Sequence, residues 1–314
     1  MHFNLISRDN GGGLTQDMNL LEAFLNEYGH VVTRVEYDQQ SLPADVNIYL
    51  ELFHERHLSS AARHVGIFNL EFFEYSWIPF LPAFTQLWAK SQVAHDWYTS
   101  QKLPSIFTGF LSRNLYDAQV EREVRVLHLR GQSWLKGTDA VLDAWAQAHE
   151  RLPPLTVALV PPEGEIVNDP DPVACAIPNV EVLSGRLSEA RLIREMNRHL
   201  IHLCPSEIEG WGHYIAEGLS CGACVVTTDA SPMNEHVSGD YGFLLPVARS
   251  ETKRLITQHF VTPTMIVSRV AWADVLVRLA DKRKEISAAS RQARFIRQGD
   301  FRLKAHAALQ ALDA

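Results

Sequence analysis

The chain has 314 residues with a net charge of −8, 46% hydrophobic and 21% charged residues, which suits a soluble chain of roughly two domains at about 150 residues each. No apolar run approaches the ~20 residues of a membrane span, and an acidic chain is a poor partner for nucleic acid or an anionic membrane. The charge is uneven: residues 1–117 carry 7 basic and 13 acidic side chains, the remainder 22 and 24. In chain order, Phe3–Ser7 reads as a strand running into the Asp9-Asn10-Gly11-Gly12-Gly13 turn. Leu14, Met18, Leu21, Leu25 and Tyr28 then recur at helical spacing, with Gly29 as a stop. Val31–Val35, Val46–Leu50, His64–Phe68, Leu87–Ser91 and Ser105–Phe110 are further short apolar runs, and Gln92–Ser100 is a helix. Leu111–Arg122 is polar and reads as a linker.

A second series follows. Strands are expected at Val124–Leu129, Leu155–Val160, Val180–Leu183, His199–Cys204, Cys224–Thr228 and Gly242–Val247. Helices are expected at Thr138–His149, Ser188–Asn197 and Tyr214–Ser220, a surface loop at Glu163–Ala176, and helix from Pro263 to the end. Strands alternating with helices point to parallel sheets. The expected fold is α/β, with two Rossmann-like, doubly wound domains facing across a cleft. Ligands of such sheets bind at the carboxyl ends of the strands. The first domain is placed at 1–117 and the second at 118–290, followed by a helix over 291–314 that crosses back to the first domain.

Two loops carry chemistry. Arg130-Gly131-Gln132-Ser133-Trp134-Leu135-Lys136-Gly137 joins a strand to a helix and supplies two cations, two glycines and a helix start. That combination suits a phosphate group, although it is not a Walker A loop. Pro205 to Glu217 holds Glu207, Glu209 and Glu217 beside Gly210 and Gly212 at another strand end. Carboxylates there can accept bonds from sugar or ribose hydroxyls. Cys221-Gly-Ala-Cys224 is a lone C-x-x-C and reads as two buried thiols rather than a metal or redox site. Asp169-Pro-Asp171 matches D-x-D only formally.

The run Pro205-Ser206…Glu209-Gly210-Trp211-Gly212…Glu217-Gly218-Leu219…Gly222…Val225–Asp229…Glu235 resembles the nucleotide-sugar signature of retaining GT-B glycosyltransferases, family four. Glu209 and Glu217 match its E-x7-E element, Arg130, Lys136 and Gly137 its diphosphate clamp, and Gly11–Gly13 its N-terminal glycine loop. The resemblance implies that Arg130 and Lys136 stabilise the leaving diphosphate and that Glu209 bonds donor-sugar hydroxyls, these three being the catalytic set. Gly12, Gly13, Gly210, Trp211, Gly212, His213, Tyr214 and Glu217 would bind the donor, Glu217 through the ribose. It implies a GT-B fold, a UDP- or GDP-sugar as co-substrate, retention of configuration, and no metal or other cofactor.

The family's His after the fourth strand is missing here, where Phe68-Asn69-Leu70-Glu71 stands. Asn69, Glu71 and His54 are the acceptor-side candidates, for a saccharide, lipid-linked or small-molecule acceptor. Phe72–Leu81 is the most aromatic stretch and reads mainly as core beneath a loop. At most weak membrane association is expected, since the acidic first domain lacks a basic amphipathic helix. The start of the chain has no signal-peptide pattern, so a cytoplasmic protein is expected. The alternatives are a non-catalytic sugar-nucleotide-binding or scaffold protein of the same fold, and a GT-B epimerase.

Overall fold

The structure is a computed structural model and describes residues 1–131, 133–160, 172–251, 264–267 and 283–313. The described chain divides into two compact units, one holding 1–112 with 297–313 and the other holding 113–131, 133–160, 172–251, 264–267 and 283–296.

The first unit is built on β1 (His2–Ser7), β2 (Val31–Glu36), β3 (Val46–Leu50), β4 (Arg63–Ile67), β5 (Gln86–Ala89) and β6 (Ser105–Phe107). All pair in parallel in the order β2-β1-β3-β4-β5-β6. Helix α1 (Gly13–Glu27) turns Leu14, Met18, Leu21 and Leu25 inward, as its spacing predicts. Helix α2 (Gln92–Ser100) is capped by the Ser91 hydroxyl, which accepts from Ala94 N–H. Each residue of β3 is buried, as expected of a parallel strand covered on both faces. Most of the aromatic stretch forms one 3-10 segment, Tyr75–Ala83, with Pro79 and Pro82 inside it. Trp77 and Phe73 pack there against Phe68, so these rings are mainly core.

The second unit holds β7 (Glu123–Gly131), β8 (Leu155–Leu159), β9 (Val180–Ser184), β10 (His199–Cys204), β11 (Cys224–Thr228) and β12 (Gly242–Leu245). These pair in parallel in the order β12-β11-β10-β7-β8-β9. Its helices are α3 (Thr138–Ala148), the short α4 (Pro172–Cys175), α5 (Glu189–Arg198) and α6 (His213–Ser220). A last helix, α7 (Arg283–Asp313), contributes residues up to 296 to this unit and the rest to the first. In the first unit its Phe301 ring meets Phe24 and Phe110 edge-on. The α/β class and two doubly wound parallel sheets agree with the sequence reading.

One expectation fails. The chain from Pro263 is not helical at its start: Thr264–Val267 is a strand, β14, paired antiparallel with β13 (Val247–Glu251). A four-residue apolar run suits either structure, and its strand partner decides. Of the expected loop Glu163–Ala176, residues 172–175 are helical, while Asp169 and Asp171 lie outside the described residues. Among the described residues no helix is long and apolar enough to cross a membrane.

Several histidines are buried in an uncharged state. Burial pushes His128 down to about 4 and His202 down to about 3, and lowers His199 and His64 as well. The unfolded chain therefore binds more protons than the folded one below about pH 6.5. Stability is expected to fall as pH drops from about 6.5 to 4, by up to about 1.4 kcal/mol per pH unit for each such ring. Urea unfolding at stepped pH reads this directly; a flat profile over that range would contradict it.

Candidate functional site

In the second sheet the chain leaves β7 toward β8 on one side, while β10 lies on the other. That reversal of strand order is where ligands of doubly wound sheets bind, beyond the carboxyl ends. Arg130 is the second-last residue of β7, and the segment from Pro205 to Tyr214 follows β10, so both sequence-predicted loops start from this point. The two loops are joined, because Glu207 N–H donates to the Leu135 carbonyl (2.8 Å).

Beneath them lies His128 on β7. Its Nδ1 bonds the Leu203 carbonyl of β10 (2.9 Å) and its Nε2 bonds Thr138 Oγ1 at the start of α3 (2.8 Å). A neutral ring serves both, donating at Nδ1 and accepting at Nε2.

The first loop forms a short 3-10 turn, Trp134–Lys136, capped by the Ser133 hydroxyl. Gly137 then takes φ 68, a left-handed conformation that opens α3. A Cβ at Gly137 would lie 2.4 Å from the Pro205 carbonyl oxygen, so the residue also lets the two loops meet. Gly137→Ala is expected to cost about 1–3 kcal/mol of stability and to displace the Lys136 side chain. Thermal unfolding and nucleotide titration of the variant check both effects; wild-type values would show that the loops yield freely.

Lys136 Nζ donates to Glu209 Oε1 and lies over the Tyr214 ring, 4.2 Å from its centroid. Ser206 Oγ donates to the same Glu209 oxygen and is bonded to the Tyr214 hydroxyl. Burial raises the Tyr214 phenol well above its ordinary value, so it stays a neutral donor. Lys136 and Glu209 keep 19% and 12% of their side-chain surface, enough to reach a ligand at the strand ends. Arg130, half-buried on the adjacent strand, makes no ion pair among the described residues. Among the described residues the loop thus holds one paired cation, Lys136, and one without an ion pair, Arg130. Gly210 and Gly212 belong to the turn before α6, where Gly212 takes φ 93. His213 and Tyr214 begin α6, whose first N–H groups have no intrahelical acceptors.

Other predicted residues are used differently. The Trp211 ring is buried edge-on against His236 (4.4 Å), whose Nε2 bonds the Trp211 carbonyl. Glu217 is 5% exposed and accepts from Arg113 Nε (2.7 Å), a residue that sequence reasoning left in the linker. Gly218 beside it allows α6 to lie close on β10, since a Cβ there would sit 2.7 Å from His202 Nδ1.

In the first unit Gly12 N–H donates to Asn10 Oδ1 (2.9 Å), while Asp9 Oδ1 accepts from Gly11 N–H and from the Thr15 hydroxyl. The glycine turn is therefore braced by its own side chains, and Gly13 opens α1. His54 caps a 3-10 segment, Glu55–Ser59, and bonds Arg56. Glu71 is buried, whereas Asn69 donates to Glu51. Glu51 was missed: its acid follows an apolar strand with nothing local to mark it. Cys221 and Cys224 are buried, and burial pushes both thiols up to about 12, leaving little reactive thiolate. Among the described residues no cluster of metal-binding side chains is present.

Residues 124–257 match the family model for Glycosyl transferases group 1. This group 1 segment contains both loops of the site. The fold is GT-B, shared with solved glycosyltransferases at low identity. Pneumococcal O-GlcNAc transferase GtfA, solved with UDP and GlcNAc, aligns at TM-score 0.64 and 14% identity, over 93% of this chain and 59% of its own. The chain thus spans about three-fifths of that relative's length. Anabaena HepE with UDP aligns at TM-score 0.69 and 14% identity, over 99% of this chain and 100% of its own. Sucrose-phosphate synthase from Thermosynechococcus elongatus aligns at 0.69 and 12% identity, over 99% of each chain. A search of curated protein sequences finds no match.

Proposed function

We propose that this protein transfers a sugar from a nucleotide-diphosphate sugar, UDP- or GDP-linked, to a hydroxyl acceptor with retention of anomeric configuration. The observation that carries the reading is the Lys136–Glu209–Tyr214 arrangement, with Arg130 making no ion pair among the described residues and, like Lys136, acting on His128, all within the group 1 segment. UDP accompanies two structural neighbours, which makes it the first nucleotide to try.

The roles follow from the chemistry. The bond from the anomeric carbon to the diphosphate oxygen breaks, and its electron pair stays on phosphate. Arg130 and Lys136 oppose that developing charge, an electrostatic contribution that is large in a preorganised site. The acceptor hydroxyl attacks from the face the diphosphate leaves, and its proton passes to the departing phosphate oxygen. Glu209 accepts bonds from the donor sugar's hydroxyls, and the first N–H groups of α6 face negative charge. With two cations in these roles, no divalent metal is required. The acceptor is a saccharide, a lipid-linked sugar or a small molecule, and its recognition falls to the first unit.

One observation favours a second reading. The Arg113 ion pair occupies one oxygen of Glu217, the carboxylate expected to meet the ribose. A protein that binds sugar nucleotides without turning them over would tolerate this. Calorimetric titration with UDP-, GDP-, ADP- and dTDP-sugars, followed by NMR of the released sugar, separates the two. Binding of one donor, with slow hydrolysis that keeps the anomeric form and survives EDTA, is the expected result. Binding without turnover under any acceptor condition would favour the second reading, and no binding would overturn both.

A further inference from the structure

The first sheet has its own reversal of strand order. The chain passes from β1 to β2 on one side, and β3 lies on the other. Beyond the carboxyl end of β3 stands Glu51, at φ 63. Leu52 N–H turns back to the Leu50 carbonyl (2.7 Å), while Glu51 N–H bonds the Ile67 carbonyl of β4 (3.0 Å). A glutamate in this left-handed region carries backbone strain that glycine would avoid. Glu51 is thus a strained acid at the position where this fold class binds ligands.

Its surroundings are specific. Glu51 Oε2 accepts from Asn69 Nδ2, at the carboxyl end of the neighbouring strand β4. Its other oxygen makes no hydrogen bond among the described residues, and Asn69 Oδ1 has no partner there either. Lys90, just past β5, is nearly fully buried, but its ammonium is taken by Asp17 of α1 (2.5 Å). Arg8 is the other cation that Glu51 senses. Among the described residues, neither cation that acts on Glu51 is both buried and unpaired, so none is left to hold an anionic ligand. What remains is an acceptor oxygen on each of two adjacent strands, a pattern for uncharged hydroxyl donors.

We propose that Glu51 and Asn69 are the acceptor-binding pair of this protein, holding two hydroxyls of an uncharged sugar. This rests on the sugar-transfer reading and names the substrate class of its other half. Burial pushes the Glu51 carboxyl up to about 7, with Asp17 adding to the rise and Lys90, Asn69 and Arg8 opposing it. The ionised carboxylate makes the stronger bond to a hydroxyl. Acceptor binding therefore strengthens as pH rises through about 7.

The test uses the full chain, the donor found above, and a panel of neutral n-octyl glycosides with glucose 6-phosphate as the anionic comparison. In Glu51→Gln the acceptor KM is expected to rise by about tenfold or more, the loss of one bond to a charged group. Its pH dependence near neutrality should vanish, while nucleotide affinity and melting temperature stay close to wild type. Asn69→Ala should raise the acceptor KM in the same way. An unchanged acceptor KM in both variants, or a wild-type enzyme that uses glucose 6-phosphate and no neutral glycoside, overturns the proposal. A wild-type chain that binds no nucleotide sugar overturns instead the transfer reading on which it rests.

Discussion

Lys136→Ala is expected to lower sugar transfer by about a hundred- to a thousandfold, the range for removing one preorganised group that meets developing charge. Lys136 has two neighbours that hold it in place, the Glu209 carboxylate and the Tyr214 ring. Its ammonium is therefore fixed before any ligand arrives, so the loss should fall mainly on kcat. The fold should survive, because the site keeps some exposure and Glu209 retains the Ser206 hydroxyl as a partner. Steady-state kinetics beside a melting curve separates the two. Near-wild-type kcat in a folded variant would remove Lys136 from the chemistry and leave Arg130 as the diphosphate's partner.

The largest stability effect is expected at Lys90. Its side chain is 2% exposed and that of Asp17 4% exposed. The ammonium also lies 4.6 Å from the Phe110 ring centroid. Lys90→Met leaves the Asp17 carboxylate buried without its counter-charge, which costs about 3–5 kcal/mol. Adding Asp17→Asn should restore much of that loss, since a buried ion pair is expensive to break and cheap to replace as a unit. Chemical denaturation of both single variants and the double variant measures the coupling. Additive losses would mean that each group is held by its other neighbours.

The sheets were legible because strands covered on both faces are mostly apolar or β-branched, with a few buried polar residues such as Asn47 and Thr156. Val46–Leu50, Leu155–Leu159 and Cys224–Thr228 are buried at each position and stand out as short runs between turns. The β13–β14 pair was not, since Thr264–Val267 is apolar but too short to show a period. The loops of the second unit could be read because glycines and charges cluster locally, and Lys136, Glu209 and Tyr214 are indeed brought together. Contacts that join distant positions left no such mark. Arg113 reaches Glu217 across 104 positions, and Lys90 reaches Asp17 across 73. Trp211 and Glu71 carry chemistry-bearing side chains, yet burial within their units decides their surroundings.

The neutral His128 ring ties a central strand, its neighbour and the start of α3 into one block, and the Glu207–Leu135 bond closes the loops above it. Two segments that would otherwise fluctuate separately share a single set of conformations. The conformational entropy of aligning Arg130, Lys136 and Glu209 is thus lost once, when the chain folds, and not again at each encounter with a ligand.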